Sequence, residues 1–374
     1  MSTRSSSSTR PRRSKPEPGR LSLRDLNRAT LARQLLLARA KTTPLAAIEQ
    51  LAGLQAQVPR PPFLGLWSRV ADFERADLHA LIHARSVVRA TMMRGTIHLV
   101  SARDYLALRL ALQPMLSAAM RSILGKRVDN LDLDDLTKHA RKLLPATFDT
   151  VRKGLTPRFP NHDDRALGLA VRLHLPLVLV PTDTPWSYPA NAEFVPADVW
   201  FGTAPAAAGP EALVLRYLAA FGPATARDAA AWSGLTKLGP VFEALRDQLV
   251  VLRDDEDREL FDLPDAPRPS ADTPAPVRFL PEYDNLMLAY ADHARVIDPV
   301  RRPALTTKNG IIAATFLVDG RVAGTWTMKR VKGRATLLLA PFGKLTKVAF
   351  SALAAEGEAL LQFVEPDATT FVVT

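Results

Sequence analysis

Apolar residues recur at helical spacing through most of the first two-thirds of the chain, and at alternating positions near its end. Residues 26–40, LNRATLARQLLLARA, are rich in Leu and Ala with no internal breaker, which predicts one continuous helix. Pro44 opens a second helix, LAAIEQLAGL, with Thr42 or Thr43 placed to cap it. PFLGLWSRV is a short third element, and FERADLHALIHAR is a helix whose apolar face is Leu78, Leu81 and Ile82. SVVRATMMRGTIHLV then reads as two short strands around Arg94-Gly95. Three helices followed by a hairpin is the order of a winged helix.

Further helices are predicted over YLALRLALQPMLSAAMRSIL, LDLDDLTKHARKLL and HDDRALGLAVRLHL, followed by a buried strand, LPLVLVP. Residues 181–210 hold repeated prolines and read as a stiff connector. A helix over 211–220 stops at Gly222-Pro223, Thr225 caps ARDAAAWSG, and Lys237 to Leu249 makes a third helix. LVVLR and RELFDLP flank an acidic turn as wing strands, giving a second winged-helix unit. From 277 to 341 the pattern alternates, with hairpin turns at Asp319-Gly320 and Lys332-Gly333. That alternation predicts an antiparallel sheet or small barrel, closed by a helix over KVAFSALAAEGEALLQFV and a last strand, TTFVVT.

The expected fold class is therefore α+β. Five regions follow: a disordered basic arm at 1–20, a first winged-helix region at 21–125, and a helical region with its connector at 126–210, a candidate for a further winged helix. A winged helix at 211–270 and a β-barrel-like domain at 271–374 complete the chain.

Charge adds a partner class. The formal net charge is +11, and Arg4, Arg10, Arg12, Arg13, Lys15 and Arg20 against the single acid Glu17 supply nearly half of it. A basic arm on a basic body favours a polyanionic partner. The absence of cysteine removes disulfides, thiolate nucleophiles and cysteine metal sites, and fits a reducing cytoplasm, the expected location. No apolar run approaches the roughly 18–20 residues of a membrane span, so no membrane partner is expected.

The chemistry candidates are few. His79 and His83 stand at i and i+4, a spacing zinc can use, but no further ligand accompanies them and solvated or capping roles are the stronger reading. His162, Asp163 and Asp164 fit a helix start. Glu282 and Asp284 in PEYDN share one face of an extended segment, where hydrogen bonding within a turn outweighs acid–base work. Trp232 and Trp326 have the spacing of core residues. Neither a phosphate loop nor a dinucleotide fingerprint nor a serine elbow occurs.

The remaining feature is Gln55-Ala56-Gln57, just past the second helix and just before Pro59, Pro61 and Pro62. In a helix these amides would point about 200° apart, whereas an extended segment places them on one face. The prolines hold the segment extended and are expected to keep a helix from re-forming. Two amides side by side can hold one water or one ligand edge; capping the helix end is the plainer alternative.

GLQAQVPRPPFLGLWSRV, MRGTIHLV, FLPEYDNLMLAYADHARV and LVDGRVAGTW, in that order, resemble the AlkZ-like family of bacterial winged-helix DNA glycosylases. That family includes self-resistance enzymes for DNA-alkylating natural products. The resemblance runs from about residue 22 to the end. It implies tandem winged helices in a C-shaped clamp with a C-terminal β-barrel, no cofactor, no metal, and a monomer acting on double-stranded DNA that contains alkylated guanine. It also implies that Gln55 and Gln57 are the catalytic Gln-x-Gln motif, and that a hairpin probes the damaged duplex. KRVKGR, with Lys329, Arg330, Lys332 and Arg334, is one match for that hairpin, and Lys308 in TTKNG is the other. His98 and Arg94 are candidates to line the site, and Arg89 and Arg94 to meet phosphate. The reaction expected is hydrolysis of the N-glycosidic bond of a bulky N7-alkylguanine adduct, interstrand crosslinks included. The competing expectation is a noncatalytic winged-helix DNA-binding protein, a regulator or a damage-binding shield.

Overall fold

The computed structural model describes residues 19–206, 209–307 and 310–374. The chain begins with β1 (Arg20–Leu21) and α1 (Leu23–Arg33), where Ser22 and Asp25 form a capping box. It continues through α2 (Pro44–Gln50), β2 (Leu54–Gln55), α3 (Pro61–Trp67), α4 (Arg75–His83), β3 (Val87–Thr91) and β4 (Ile97–Ser101). Helices α5 (Ala102–Leu108), α6 (Gln113–Leu124), α7 (Leu133–Leu143), α8 (Phe148–Leu155) and α9 (Asp164–His174) lead to β5 (Leu177–Leu179), β6 (Phe194–Pro196) and α10 (Ala197–Phe201). Next come α11 (Pro210–Phe221), α12 (Ala226–Ser233), α13 (Gly239–Ala244), β7 (Val250–Asp254) and β8 (Glu259–Asp262). The chain closes with β9 (Arg278–Leu280), β10 (Thr315–Val318), β11 (Arg321–Val331), β12 (Arg334–Pro341), α14 (Lys347–Val364) and β13 (Thr370–Val373).

Three sheets result, in the orders β2-β4-β3-β5-β6, β1-β7-β8 and β13-β12-β11-β10-β9. None closes into a barrel, so the barrel expectation is corrected to an open sheet in a mixed α+β fold. The physical reason lies in α14, which connects β12 to β13 as a crossover and lays β13 parallel to β12. A Cβ at Gly357 of α14 would come within 3.0 Å of both Leu337 and Val373 side chains, so the helix lies tight against the sheet and covers the face a closed barrel would turn inward. Both hairpin turns fall where the sequence put them: Asp319 and Gly320, and Lys332 and Gly333, all have positive φ.

Other departures have identifiable causes. The first helix stops at Arg33, not at residue 40, because its end is held from afar. Arg33 is sealed against the Asp262 carboxylate at 2.8 Å, Gln34 donates to the Ala220 carbonyl at 2.9 Å, and Leu35 turns left-handed. Pro61 and Pro62 do not prevent a helix; they begin α3, since the first turn leaves N–H groups unbonded in any case. The connector contains β6 and α10, and β5 and β6 extend the sheet begun by β2, β3 and β4. Lys237 to Leu249 divides into α13 and a 3-10 turn at Arg246–Gln248. Arg20, at the end of the stretch read as an arm, pairs with Arg253 of β7; the rest of that stretch, to residue 18, lies outside the described residues.

One hydrophobic core runs through nearly all these elements. A second cluster joins Leu31 and Leu36 to Leu280, Leu286, Val296, Ile297 and Leu305, which fastens α1 to the C-terminal part. Trp232 and Trp326 are buried, as their spacing predicted. No helix among the described residues is long and apolar enough to cross a membrane.

Candidate functional site

The Gln-x-Gln segment is positioned by a turn that only glycine fits. After α2, Ala52 and Gly53 both take positive φ, at 54° and 87°, and swing the chain into β2. A Cβ at Gly53 would stand 2.6 Å from Val100 Cγ1 and 3.0 Å from the Leu99 carbonyl oxygen. Buried Asn285 grips this turn, donating from Nδ2 to the carbonyls of Leu51 at 3.2 Å and Gly53 at 2.8 Å. Gln55 then pairs with His98 of β4, extended as the sequence predicted.

The two amides are not equivalent. Gln55 is buried and Gln57 is exposed. Gln55 Oε1 accepts from Arg94 Nη2 at 2.8 Å, and Gln57 Oε1 accepts from the Ile97 backbone N–H at 3.1 Å. A guanidinium and a backbone N–H can only donate, so the atoms facing them must be the carbonyl oxygens. Both NH2 groups are thereby turned away from these partners, and neither makes a hydrogen bond among the described residues. The pair offers fixed donors.

Arg89 and Arg94 sit beside the pair. Arg89 was expected to meet phosphate; instead it is buried, with Nε on the Ala56 carbonyl at 2.8 Å and Nη2 on the Gln57 carbonyl at 3.1 Å. Its guanidinium also lies 5.3 Å from the Tyr188 ring. It holds the backbone on which the amides are mounted. Arg94, half-buried at positive φ in the turn Met93–Gly95, reaches both Gln55 and the Trp232 carbonyl at the end of α12. Burial draws both guanidinium groups down to about 10, so each stays charged near neutral pH. Among the described residues neither has a carboxylate partner.

His98 is buried beside them. Burial, and then the charge of Arg94, push its imidazole down to about 3, so the ring is neutral at physiological pH. Its Nδ1 lies 3.1 Å from the Thr96 carbonyl oxygen.

The other candidates separate from this site. His79 uses both ring nitrogens, on Ser187 Oγ at 2.6 Å and the Pro185 carbonyl at 3.1 Å, which leaves no metal pair with His83. Among the described residues no group of three metal-ligating side chains occurs. Asp163 caps α9. Asp284 caps a 3-10 turn and pairs at 2.9 Å with Arg69, both side chains fully buried, and Glu282 pairs with Arg60, so both carboxylates do structural work. On the β11–β12 hairpin, Lys329, Lys332 and Arg334 are exposed, while Arg330 is also exposed but paired with Glu365 at 2.8 Å. Lys308 lies outside the described residues. Sequence reasoning missed Asn285, Tyr188 and the bridging role of Arg94. Asn285 was visible within PEYDN, but its partners are more than 200 residues away.

A family model described as DNA glycosylase AlkZ-like matches residues 48–363. A curated relative, an interstrand DNA cross-link repair glycosylase of Streptomyces sahachiroi, is 27% identical over 322 residues, covering 79% of this chain and 85% of the relative. The solved structure of Streptomyces sahachiroi DNA glycosylase AlkZ superposes with a TM-score of 0.74 at 22% identity, covering 95% of this chain and all of that one. At that identity the likeness speaks for the fold.

Proposed function

The chain belongs to the AlkZ-like DNA glycosylase family, and we propose that it hydrolyses the N-glycosidic bond of bulky N7-alkylguanine in double-stranded DNA, crosslinked guanine included. The name of the curated relative supports crosslink repair. The observation that carries the reading is the fixed orientation of Gln55 and Gln57, two amide donors locked beside uncompensated positive charge.

A neutral amide is a poor base, so this pair is unsuited to an ordinary nucleoside. N7-alkylguanine is cationic and leaves readily. As the C1′–N9 bond breaks, its electron pair moves onto the base and cancels the charge, while C1′ approaches an oxocarbenium ion. Gln55 and Gln57 then need only hold water against C1′ and order the sugar, which is catalysis by position and fixed dipoles. Hydrolysis of this kind leaves an abasic site without strand cleavage.

The helices and hairpins are consistent with tandem winged helices: α2–α4 with β3–β4, α7–α9 with β5–β6, and α11–α13 with β7–β8. In this reading they form a C-shaped clamp that a monomer closes on DNA in the cytoplasm, with the exposed cations of the β11–β12 hairpin against the duplex. The test is to incubate the protein with a duplex carrying a nitrogen-mustard N7-guanine monoadduct or interstrand crosslink. Release of free modified guanine, with strands that break only after alkali, supports the reading. Tight binding without release would make the protein a DNA-binding shield instead.

A further inference from the structure

A row of paired residues crosses the first sheet, with Gln55 on β2 opposite His98 on β4, and His98 opposite Ala90 on β3. Residues directly opposed in an antiparallel pair share a face, with Cβ atoms about 5 Å apart. His98 is thus the cross-strand neighbour of Gln55. The Thr96 carbonyl can only accept, so Nδ1 of the neutral ring carries the proton and Nε2 carries the lone pair. Nε2 has no hydrogen-bond partner among the described residues.

A side chain with a free donor, Gln55, and one with a free acceptor, His98, are therefore cross-strand neighbours on one face. We propose that His98 is a further catalytic residue, whose Nε2 orients the attacking water and takes its proton. This rests on the reading of Gln55 and Gln57 above. Water accepts one hydrogen bond from Gln55, donates one to His98, and keeps a lone pair for C1′. The C1′–N9 electron pair leaves with the base, the water oxygen bonds to C1′, and the proton passes to Nε2 and then to solvent.

The environment of His98 suits that timing. A ring drawn down to about 3 does not deprotonate free water, but the oxonium formed at C1′ is a far stronger acid. Arg94 beside the resulting imidazolium speeds its return to the neutral form.

Two variants test the role. His98→Asn keeps a donor for the Thr96 carbonyl and removes the acceptor; His98→Gln keeps an acceptor near the Nε2 position and loses the donor. On a nitrogen-mustard N7-guanine duplex, His98→Asn is expected to slow single-turnover release by about 100-fold with DNA binding retained, and His98→Gln to recover part of the loss. Release by His98→Asn within about threefold of the unaltered protein would overturn the proposal. So would equal losses in both variants accompanied by equal drops in urea midpoint, which mark a structural role. Gln55→Ala runs alongside: if it also releases base normally, the underlying site reading fails, whereas if it is slow and His98→Asn is fast, only the role of His98 fails.

Discussion

Arg94 Nη2 donates to Gln55 Oε1 at 2.8 Å, and the same guanidinium holds the Trp232 carbonyl at the end of α12. One side chain thereby ties the buried amide of the Gln-x-Gln segment to an element more than a hundred residues away. Removing it frees Gln55 to flip or rotate. A hydrogen bond to a charged group contributes about 1.5–3 kcal/mol, so Arg94→Met is expected to slow single-turnover release by roughly 10–100-fold. Arg94→Lys, which keeps a donor and the charge, recovers part of it. Comparing release rates at saturating protein separates this from weakened binding.

Arg89 gives the opposite expectation for DNA affinity. Its guanidinium is spent on the Ala56 and Gln57 carbonyls. Arg89→Met leaves a buried acceptor at Ala56 and a part-buried one at Gln57 without donors and should cost about 1–3 kcal/mol of stability. Urea unfolding reads that cost. The salt dependence of DNA binding should stay unchanged, because no phosphate contact is lost.

The hairpin cations should behave the other way round. Lys329 and Lys332 are exposed, so Lys329→Gln with Lys332→Gln should lower the salt slope of binding by about 0.9 for each phosphate contact removed. The urea midpoint should hardly move. Arg330 is committed to Glu365, so Arg330→Gln alone should change the slope less.

Acid should destabilise the fold through its buried histidines. Burial and Arg94 hold His98 at about 3, and burial with Arg302 holds His293 at about 4, both below the ordinary 6.5. The unfolded chain therefore binds protons first. Stability from these neutral rings is complete above pH 6.5 and falls as pH drops toward 4, by up to about 1.4 kcal/mol per pH unit for each ring. Urea midpoints measured between pH 7.5 and 5 should decline, and more shallowly in His98→Asn.

How much of this was legible depends on the range of the forces involved. Thr225 caps its helix as the sequence indicated, Thr43 is the one of the two threonines offered that caps α2, and the helix start read at 162–164 is capped by Asp163, because a cap bonds only two or three residues away. The extended backbone at Gln55 and both hairpin turns were legible for the same reason, whereas Gln57 falls in a bend past the end of β2. The end of α1 was not, since Arg33 and Gln34 stop the helix by bonding to Asp262 and Ala220. Helix α8 is short, and its stripe of Phe148, Val151 and Leu155 was not picked out; the open C-terminal sheet depends on how α14 packs. The identity of the candidate pair could be read from spacing and resemblance. Its orientation could not, because it is imposed by Arg94 and by the Ile97 amide across the sheet.

The most direct measurement is release of free modified guanine from a nitrogen-mustard N7-guanine duplex under single-turnover conditions, by Gln55→Ala and Gln57→Ala, with binding to the same duplex measured in parallel. The account predicts that both variants bind normally and that release falls by about 100-fold or more. Undiminished release by both variants would contradict it.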